Sequence, residues 1–374
     1  MAGARVASGG ARRSIAIDVR MADGHSGIGT YIRNVVPRIV SRRPDWQFTV
    51  LADRDAPADW LAASNVDVVR CACGIYSLAE QVELPLKARG ARVLWSPHYN
   101  IPVAARATLV VTVHDVCHLA RPDLYAGALR QAYARRMLTA VRRRATEIMF
   151  VSEFSRLEFE RHVGVPRCFT TVLNGVDAAW FSRPDRGVSP HPRPYVLFIG
   201  GAKPQKNLTT LARALESMTA ADRPDLVIIG SLENHRTVDR AAIAAVATLG
   251  HRATIVGNAD DSAVRRFLSH ADALVMPSLY EGFGLPALEA MASGCPVVVA
   301  HAGSLPEVCG SAALYCDPSD AADIARQIDL IRSNAKTREG LIAAGRRRAA
   351  ALTWDDTAAR ATDVLQRAMA GAER

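Results

Sequence analysis

The chain has 374 residues, 49% of them hydrophobic and 22% charged, with a formal net charge of +9. That length is too great for one comfortable core and suits two domains of about 180 residues, with the composition of a soluble globular protein. Its apolar runs are strand-sized, far short of the roughly 20 residues of a membrane span. Residues 1–13 hold Gly, Ala and Arg without an apolar stretch, so a disordered tail rather than a signal peptide is expected, with a cytoplasmic location.

The first apolar run, Ile15–Val19, has strand character. Asp23-Gly24-His25-Ser26-Gly27-Ile28-Gly29-Thr30 follows and opens a helix through Tyr31, Val35 and Ile39. Gly27 and Gly29 can bring backbone N–H groups close to a phosphate, although a lone Gly-x-Gly also suits a plain loop. A dinucleotide fingerprint needs a third glycine where Ile32 stands, which argues against a dehydrogenase. After the run Phe48–Leu51, Asp53-Arg54-Asp55 is an Asp-x-Asp triplet of the kind that holds a divalent ion. Here a surface turn is expected, and no metal.

Runs at Val93–Trp95, Leu109–Val113, Ile148–Val151 and Thr171–Leu173 continue the alternation, with amphipathic or Ala/Arg-rich segments between most of them. His114-Asp115 stands directly after Leu109–Val113, so His114 should face the cleft. A lone histidine is usually structural, but a His-Asp pair at a strand's carboxyl end points to a site residue. Asp115 and Tyr99 are lesser candidates. Ser152 suits a helix N-cap, and Asn174-Gly175 suits a turn.

Charge is uneven along the chain: residues 1–180 hold 24 Arg and Lys against 16 Asp and Glu. The densest segment runs from Arg130 through Arg135, Arg136, Arg142 and Arg143 to Arg144. A solvated helix face fits it, and so does a surface meeting anionic lipid or a lipid diphosphate. Nucleic acid fits least, because no nucleic-acid motif accompanies the charge. The seven cysteines form no metal-ligand cluster and are expected to be reduced and mostly buried.

Residues 182–194 hold four prolines and a glycine without an apolar run, which is linker composition. The alternation then restarts with Tyr195–Ile199, Leu226–Ile229, Thr254–Val256, Ala273–Met276, Val297–Ala300 and Ala313–Tyr315. The expected fold is α/β, with two Rossmann-like, doubly wound domains facing a cleft. Residues 14–181 and 195–353 would form the two domains, and 354–374 a C-terminal helix. Gly230 and Gly257 end strands where close backbone approach or a simple turn is possible.

After Tyr195–Ile199 comes Gly200-Gly-Ala-Lys203-Pro-Gln-Lys206-Asn207 and a helical stretch from Leu208. Asn207 is a suitable N-cap, which would set Lys206 beside a helix N-terminus, where an ammonium can neutralise a departing diphosphate. An exposed loop lysine is the commoner role. Between Ala273–Met276 and Val297–Ala300 lies Glu281-Gly282-Phe283-Gly284-Leu285-Pro286, then Glu289 and Gly294. Pro286 suits a helix start and Gly294 its stop. Gly282, Phe283, Gly284 and Leu285 then form a strand-to-helix corner whose N–H groups favour an anion. Two flanking carboxylates add hydroxyl recognition. A nucleotide sugar offers both features, although two glutamates eight apart mean little alone.

The string EGFGLPALEAMASGCPVV resembles the Glu-x7-Glu region of retaining glycosyltransferases of family 4, and the likeness covers about Ile15 to Trp354. The resemblance implies the GT-B architecture, a C-terminal helix crossing back to the first domain, and sugar transfer from a nucleoside diphosphate with retention. By that likeness Glu281 binds sugar hydroxyls, Glu289 the ribose diol and Lys206 the diphosphate. His114 supports the sugar near O6, Gly27 and Gly29 lie near the donor phosphates, and Ser304-Leu-Pro-Glu307-Val helps line the nucleotide pocket. The family's usual Arg after the first glycine is Gly201 here, so Lys203 or another basic group would supply that charge, or the site relies on Lys206 alone. The segments Gly27–Pro37 and Gly200–Asn207 resemble bacterial mannosyl- and rhamnosyltransferases of surface polysaccharide, including lipopolysaccharide, assembly. GDP-mannose is therefore the first-choice donor and a UDP-hexose the second, with a glycan or lipid-linked acceptor. A nucleotide-sugar epimerase and a non-catalytic binder are the alternatives from other classes.

Overall fold

The apolar runs pair into two all-parallel sheets, as expected where helical crossovers cover both faces. A computed structural model describes residues 14–22, 26–53, 62–125, 127–182, 187–219, 223–232 and 238–372. The N-terminal tail, Asp23–His25, Arg54, Asp55 and residues 183–186 of the proline-rich segment lie outside the described residues.

The first sheet contains β1 (Ser14–Asp18), β2 (Gln47–Ala52), β3 (Val66–Arg70), β4 (Val93–Ser96), β5 (Thr108–Val113), β6 (Glu147–Phe150) and β7 (Phe169–Thr171), in the order β3-β2-β1-β4-β5-β6-β7. The second contains β8 (Tyr195–Ile199), β9 (Asp225–Ile229), β10 (Ala253–Gly257), β11 (Ala273–Met276), β12 (Val297–Ala300) and β13 (Leu314–Cys316), in the order β10-β9-β8-β11-β12-β13. Both orders reverse direction once, at β1/β4 and at β8/β11. Ligands of such sheets bind outside the carboxyl ends of the strands at that reversal.

Most strands match the expected runs to within one residue at each end, and β3 and β7 depart most. β3 had no counterpart because Val-Asp-Val-Val-Arg carries charge on a half-exposed edge. β7 covers Phe169–Thr171, two residues earlier at both ends than the expected Thr171–Leu173, because its register with β6 pairs Phe169 with Ile148 and Thr171 with Phe150. β13 begins at Leu314, one residue after Ala313.

The chain returns to its first sheet at the end. Helix α13 (Trp354–Ala372) packs on α1 (Gly27–Arg42) and against β4, β5 and β6. The returning backbone passes Gly175 so closely that a Cβ there would lie 2.0 Å from the Thr353 carbonyl carbon. Val176 N–H donates to the Leu352 carbonyl at 2.9 Å. Tyr31 of α1 meets Trp354, Trp95 and His114 edge-on, with ring centroids 6.2, 6.3 and 5.0 Å away. The C-terminal helix thereby buttresses the strand end that carries His114.

All seven cysteines are free thiols, and only Cys168 is exposed. Among the described residues no helix is long and apolar enough to cross a membrane.

Candidate active site

The corner after β11 is built by glycine. Gly284 at φ +95° caps α9 (Leu285–Ser293), Pro286 stands in its first turn, and Gly294 at φ +76° ends it. Positive φ costs a side-chain-bearing residue roughly 1 kcal/mol or more, so glycine is the natural choice at both ends. Phe283 is buried and anchors the turn. Gly282 approaches the other domain: a Cβ there would lie 2.1 Å from the His114 carbonyl oxygen. Its own carbonyl accepts the Ser152 hydroxyl at 2.6 Å, and the Ser155 hydroxyl donates to the His114 carbonyl at 2.8 Å. The two strand ends that carry Glu281 and His114 are therefore in direct contact.

Helix α1 completes the anion-binding geometry from the first domain. Ser26 caps it by accepting Gly29 N–H at 3.1 Å, so that amide is committed to the cap. The earlier amides at Gly27 and Ile28 precede the first intrahelical bond, and Gly27 is exposed. A Cβ on Gly27 would stand 3.9 Å from Leu285 Cδ1, so the N-termini of α1 and α9 face each other across the cleft. Opposed helix N-termini favour negative charge between them.

Lys206 Nζ donates to Glu281 Oε1 at 2.6 Å, both side chains being mostly buried. Asn207 overturns its expected role as a side-chain cap of α6 (Leu208–Ser217). It takes a left-handed conformation at φ +56° and makes no capping bond. Its Nδ2 instead donates to the Pro277 carbonyl at 3.0 Å and the Pro318 carbonyl at 2.7 Å, tying the Lys206 loop to the ends of β11 and β13. Leu279 N–H adds a 2.8 Å bond to the Gln205 carbonyl. Lys206 is thus held against Glu281 by backbone on both sides.

Lys203 belongs to the same charge cluster. Burial and the neighbouring Lys206 push its ammonium down, opposed by Glu281 and Asp115. Asp115 accepts Cys117 N–H at 2.9 Å, and its carboxyl is raised by burial and by Glu281 while Lys203 draws it back. Gly201 leaves the expected arginine position without a side chain, and Lys203 brings a second cation to this cluster. Nearby, the side-chain oxygens Gln205 Oε1 and Ser278 Oγ are buried with no protein partner. Buried polar atoms of that kind normally have a partner in protein or water.

His114 Nε2 donates to the Pro97 carbonyl at 2.9 Å. Burial, with His98 nearby, pushes the imidazole down to about 4, so it is neutral near pH 7. Nε2–H being used, Nδ1 is the acceptor nitrogen, suited to a ligand hydroxyl. Glu289, midway along α9, accepts no hydrogen bond among the described residues, and its carboxyl is pushed up to about 8 by burial and then by Asp261.

Glu307 does something the sequence did not foretell. On α10 (Leu305–Cys309), its carboxylate accepts Glu153 N–H at 2.8 Å and Phe154 N–H at 3.0 Å. These are the first amides of α5 (Glu153–His162), on the other domain. No local signal announces a pairing between residues so far apart in sequence, although the Ser152 cap marked the helix start. Gly230 and Gly257 are close-approach glycines: Gly230 N–H donates to the Gly257 carbonyl at 2.8 Å, and a Cβ on Gly230 would overlap the Gly200 carbonyl oxygen at 2.4 Å. Asp53 is exposed at the end of β2, with its carbonyl accepting Arg70 at 2.6 Å. The rest of its triplet lies outside the described residues, and no group of three metal-ligating side chains occurs among those described.

Residues 183–348 match the family model described as Glycosyl transferases group 1. The chain is 31% identical over 272 residues to O-antigen chain mannosyltransferase B of Escherichia coli, covering 70% of each chain. It is 30% identical over 277 residues to an MMP alpha-(1->4)-mannosyltransferase of Mycolicibacterium hassiacum, covering 70% of this chain and 66% of that one. In structure it is similar to sucrose-phosphate synthase from Thermosynechococcus elongatus, with a TM-score of 0.79 at 20% identity over 96% of this chain and 100% of the other. Two facing parallel-sheet domains make the fold GT-B. With the O-antigen relative matched over most of both lengths, the chain belongs to the glycosyltransferase group 1 family.

Proposed function

We propose that this glycosyltransferase moves a mannosyl unit from GDP-mannose, with retention of configuration, to a glycan or lipid-linked acceptor in bacterial surface polysaccharide synthesis. The observation that carries the reading is the Lys206–Glu281 ion pair beside the opposed N-termini of α1 and α9. It sets a cation for a diphosphate beside a carboxylate for sugar hydroxyls. That the two relatives are mannosyltransferases supports mannose as the sugar transferred here.

In this reading Lys206 and Lys203, with the N–H groups of Gly282, Phe283, Gly284 and Leu285 and the free amides of Gly27 and Ile28 at the start of α1, hold the diphosphate, while Gly29 shapes that turn with its own amide given to the Ser26 cap. Those positive groups supply the charge compensation that a divalent ion would otherwise give, so no metal is required. Glu281 and the His114 Nδ1 orient sugar hydroxyls, and Glu289 accepts the ribose diol. The bond from the sugar C1 to the β-phosphate oxygen breaks as an acceptor oxygen attacks C1 on the same face. The acceptor proton passes to the departing phosphate oxygen. A double-displacement glycosidase needs two carboxylates facing each other across the scissile bond. Here Glu281 and Glu289 share one side of a strand–helix corner.

The arginines of α4 (Ala128–Arg144) are assigned to anionic lipid at the cytoplasmic face of the membrane, where a lipid-linked acceptor would be presented.

The test is release of free nucleoside diphosphate from a panel of GDP- and UDP-sugars, with and without a lipid-linked acceptor, with the anomeric configuration of the product read by NMR. Acceptor-dependent GDP release from GDP-mannose with an α-linked product is expected. Release from UDP-hexoses instead would reassign the donor. Interconversion of nucleotide sugars without release, or retention without turnover, would overturn the reading.

A further inference from the structure

An amphipathic helix normally turns its apolar stripe inward, and α2 (Glu80–Lys87) carries a second one outward. Leu84 is buried, whereas Leu78, Val82 and Leu86, four residues apart along one face, are 89%, 63% and 58% exposed. Leu78 sits in the turn that leads into the helix: Gln81 N–H donates to its carbonyl at 3.1 Å. Scattered exposed leucines need no explanation, but an apolar row of this length marks a docking face.

The row has neighbours of the same character. The Gln81 side chain bonds the Ile101 carbonyl at 3.0 Å and Val103 N–H at 2.9 Å, which sets the exposed Val103 beside α2. The loop that carries Val103 also abuts α4, because Arg144 Nη2 donates to the Ala105 carbonyl at 2.7 Å. At the other end Tyr76 meets Tyr133 of α4 edge-on at 6.1 Å. Leu129, in the first turn of α4, is 88% exposed.

The charge around this apolar row is mainly positive, and the exposed Asp123 near the start of α4 is paired with Arg121 at 2.7 Å. Residues 97–114 and 124–146 contain no Asp or Glu. The two acids of α2 are committed: Glu80 is buried against Arg20, and Glu83 binds Lys87 at 2.6 Å and the amides of Ala72 and Cys73 at 2.8 and 2.7 Å. Arg89, Arg106, Arg135, Arg136 and Arg143 are exposed. Exposed apolar side chains with exposed arginines on the adjoining segments fit an anionic bilayer surface, where leucine enters the acyl boundary and arginine stays with the headgroups.

We infer that the outward face of α2, Leu78, Val82 and Leu86 with Val103 and Leu129, inserts into the headgroup region of an anionic membrane, adding an apolar anchor to the arginines of α4. This deepens the lipid-surface assignment above and rests on it. It also separates two contributions: an electrostatic one that salt screens and an apolar one that it does not.

The experiment is co-sedimentation with vesicles of phosphatidylglycerol and phosphatidylcholine, and of phosphatidylcholine alone, at about 50 mM and 500 mM salt, around the range where the screening length falls from above 10 Å to a few ångströms. Three proteins are compared: the parent, Leu78→Ser/Val82→Ser/Leu86→Ser, and Arg135→Gln/Arg136→Gln/Arg143→Gln. The parent should bind anionic vesicles and retain part of that binding at high salt. The serine variant should lose about tenfold or more at both salt concentrations, as expected from withdrawing three apolar side chains from lipid. The glutamine variant should lose binding chiefly at low salt. Turnover of a water-soluble acceptor in the serine variant, with an unchanged melting temperature, shows that fold and chemistry are intact, so failure of the anchor is distinguishable from failure of the transferase reading. Equal vesicle retention by parent and serine variant would overturn the inference. So would a parent that sediments as a dimer without lipid while the serine variant is monomeric, because the row would then be a self-association surface.

Discussion

Glu307 and Glu153 are like-charged residues on different domains, yet the first holds the second. The Glu307 carboxylate accepts the Glu153 backbone N–H at 2.8 Å, while the Glu153 carboxylate turns away to Arg156 and Thr171. Side-chain repulsion is thereby removed, and the partial positive charge of the α5 N-terminus stays available to the carboxylate across the cleft. Ser304, just before α10, donates its N–H to the Glu281 carbonyl at 3.1 Å and its hydroxyl to the same oxygen at 3.0 Å. One short path of hydrogen bonds thus runs from Glu281 through Ser304 and α10 to the other domain.

Glu307→Ala should therefore loosen the contact between domains without unfolding either of them. Two charge-assisted hydrogen bonds are lost, each typically worth about 1.5–3 kcal/mol. Gly282→Ala should act at the same seam by steric means, since its Cβ would overlap the His114 carbonyl. Both variants are expected to show a larger radius of gyration in small-angle scattering and a kcat at least about tenfold lower, a rate loss equivalent to ~1.4 kcal/mol. Glu307→Gln, which can still accept through one oxygen, should fall between parent and alanine. Unchanged scattering and unchanged kcat in both alanine variants would show that the seam has no part in turnover.

The sequence carried the fold well because parallel, doubly buried strands announce themselves as apolar runs between turn residues. Val297–Ala300 and Ala273–Met276 were legible for that reason, whereas β3 was hidden by Asp67 and Arg70 on an exposed edge. The build of the corner after β11 was legible because it is local: Gly284 and Pro286 start α9 and Gly294 ends it, as their residue types suggest. What stayed hidden was non-local. Asn207 has the composition of a cap, but two carbonyls from distant loops claim its amide. Glu307 has the composition of a first-turn helix residue, but its partners belong to a helix that the sequence places some 150 residues away. Composition reports what a side chain can do locally, and tertiary contact decides among those options.

The lysines allow a direct test of how the diphosphate charge is met. Lys206→Met should be the more damaging change, because it also strips Glu281 of its partner in a partly buried site. Lys203→Met should chiefly weaken donor binding, and Lys203→Arg should restore most of it by returning a cation to the cluster. Each lost charge-assisted contact is expected to cost about tenfold or more in donor affinity, measured by calorimetry with the nucleoside diphosphate. In the same assays transfer should persist in excess EDTA. Complete loss with chelator, restored by magnesium or manganese, would instead bring Asp53 and Asp55 back as ligands.

With Glu289 at the ribose as proposed, donor binding should depend on pH with a sign that follows from the carboxyl's surroundings. Burial first, and Asp261 second, raise its carboxyl from 4.5 to about 8, so near neutrality the unliganded enzyme largely holds that proton. A ribose diol donating two hydrogen bonds needs the ionised acceptor, so binding must expel the proton below pH 8. Donor affinity should therefore rise with pH by up to about tenfold per unit, and level off above the carboxyl's own value. Stability runs the opposite way. Because the folded-state value lies above the unfolded one, the folded protein holds the extra proton between 4.5 and about 8. The stabilisation from this group is complete below pH 4.5 and is lost as pH rises through that window. Glu289→Gln should flatten both trends, lowering donor affinity most at pH 8.5 and least at pH 6, with a melting temperature less sensitive to pH. Parallel affinity profiles for parent and variant across that range would remove Glu289 from the ribose.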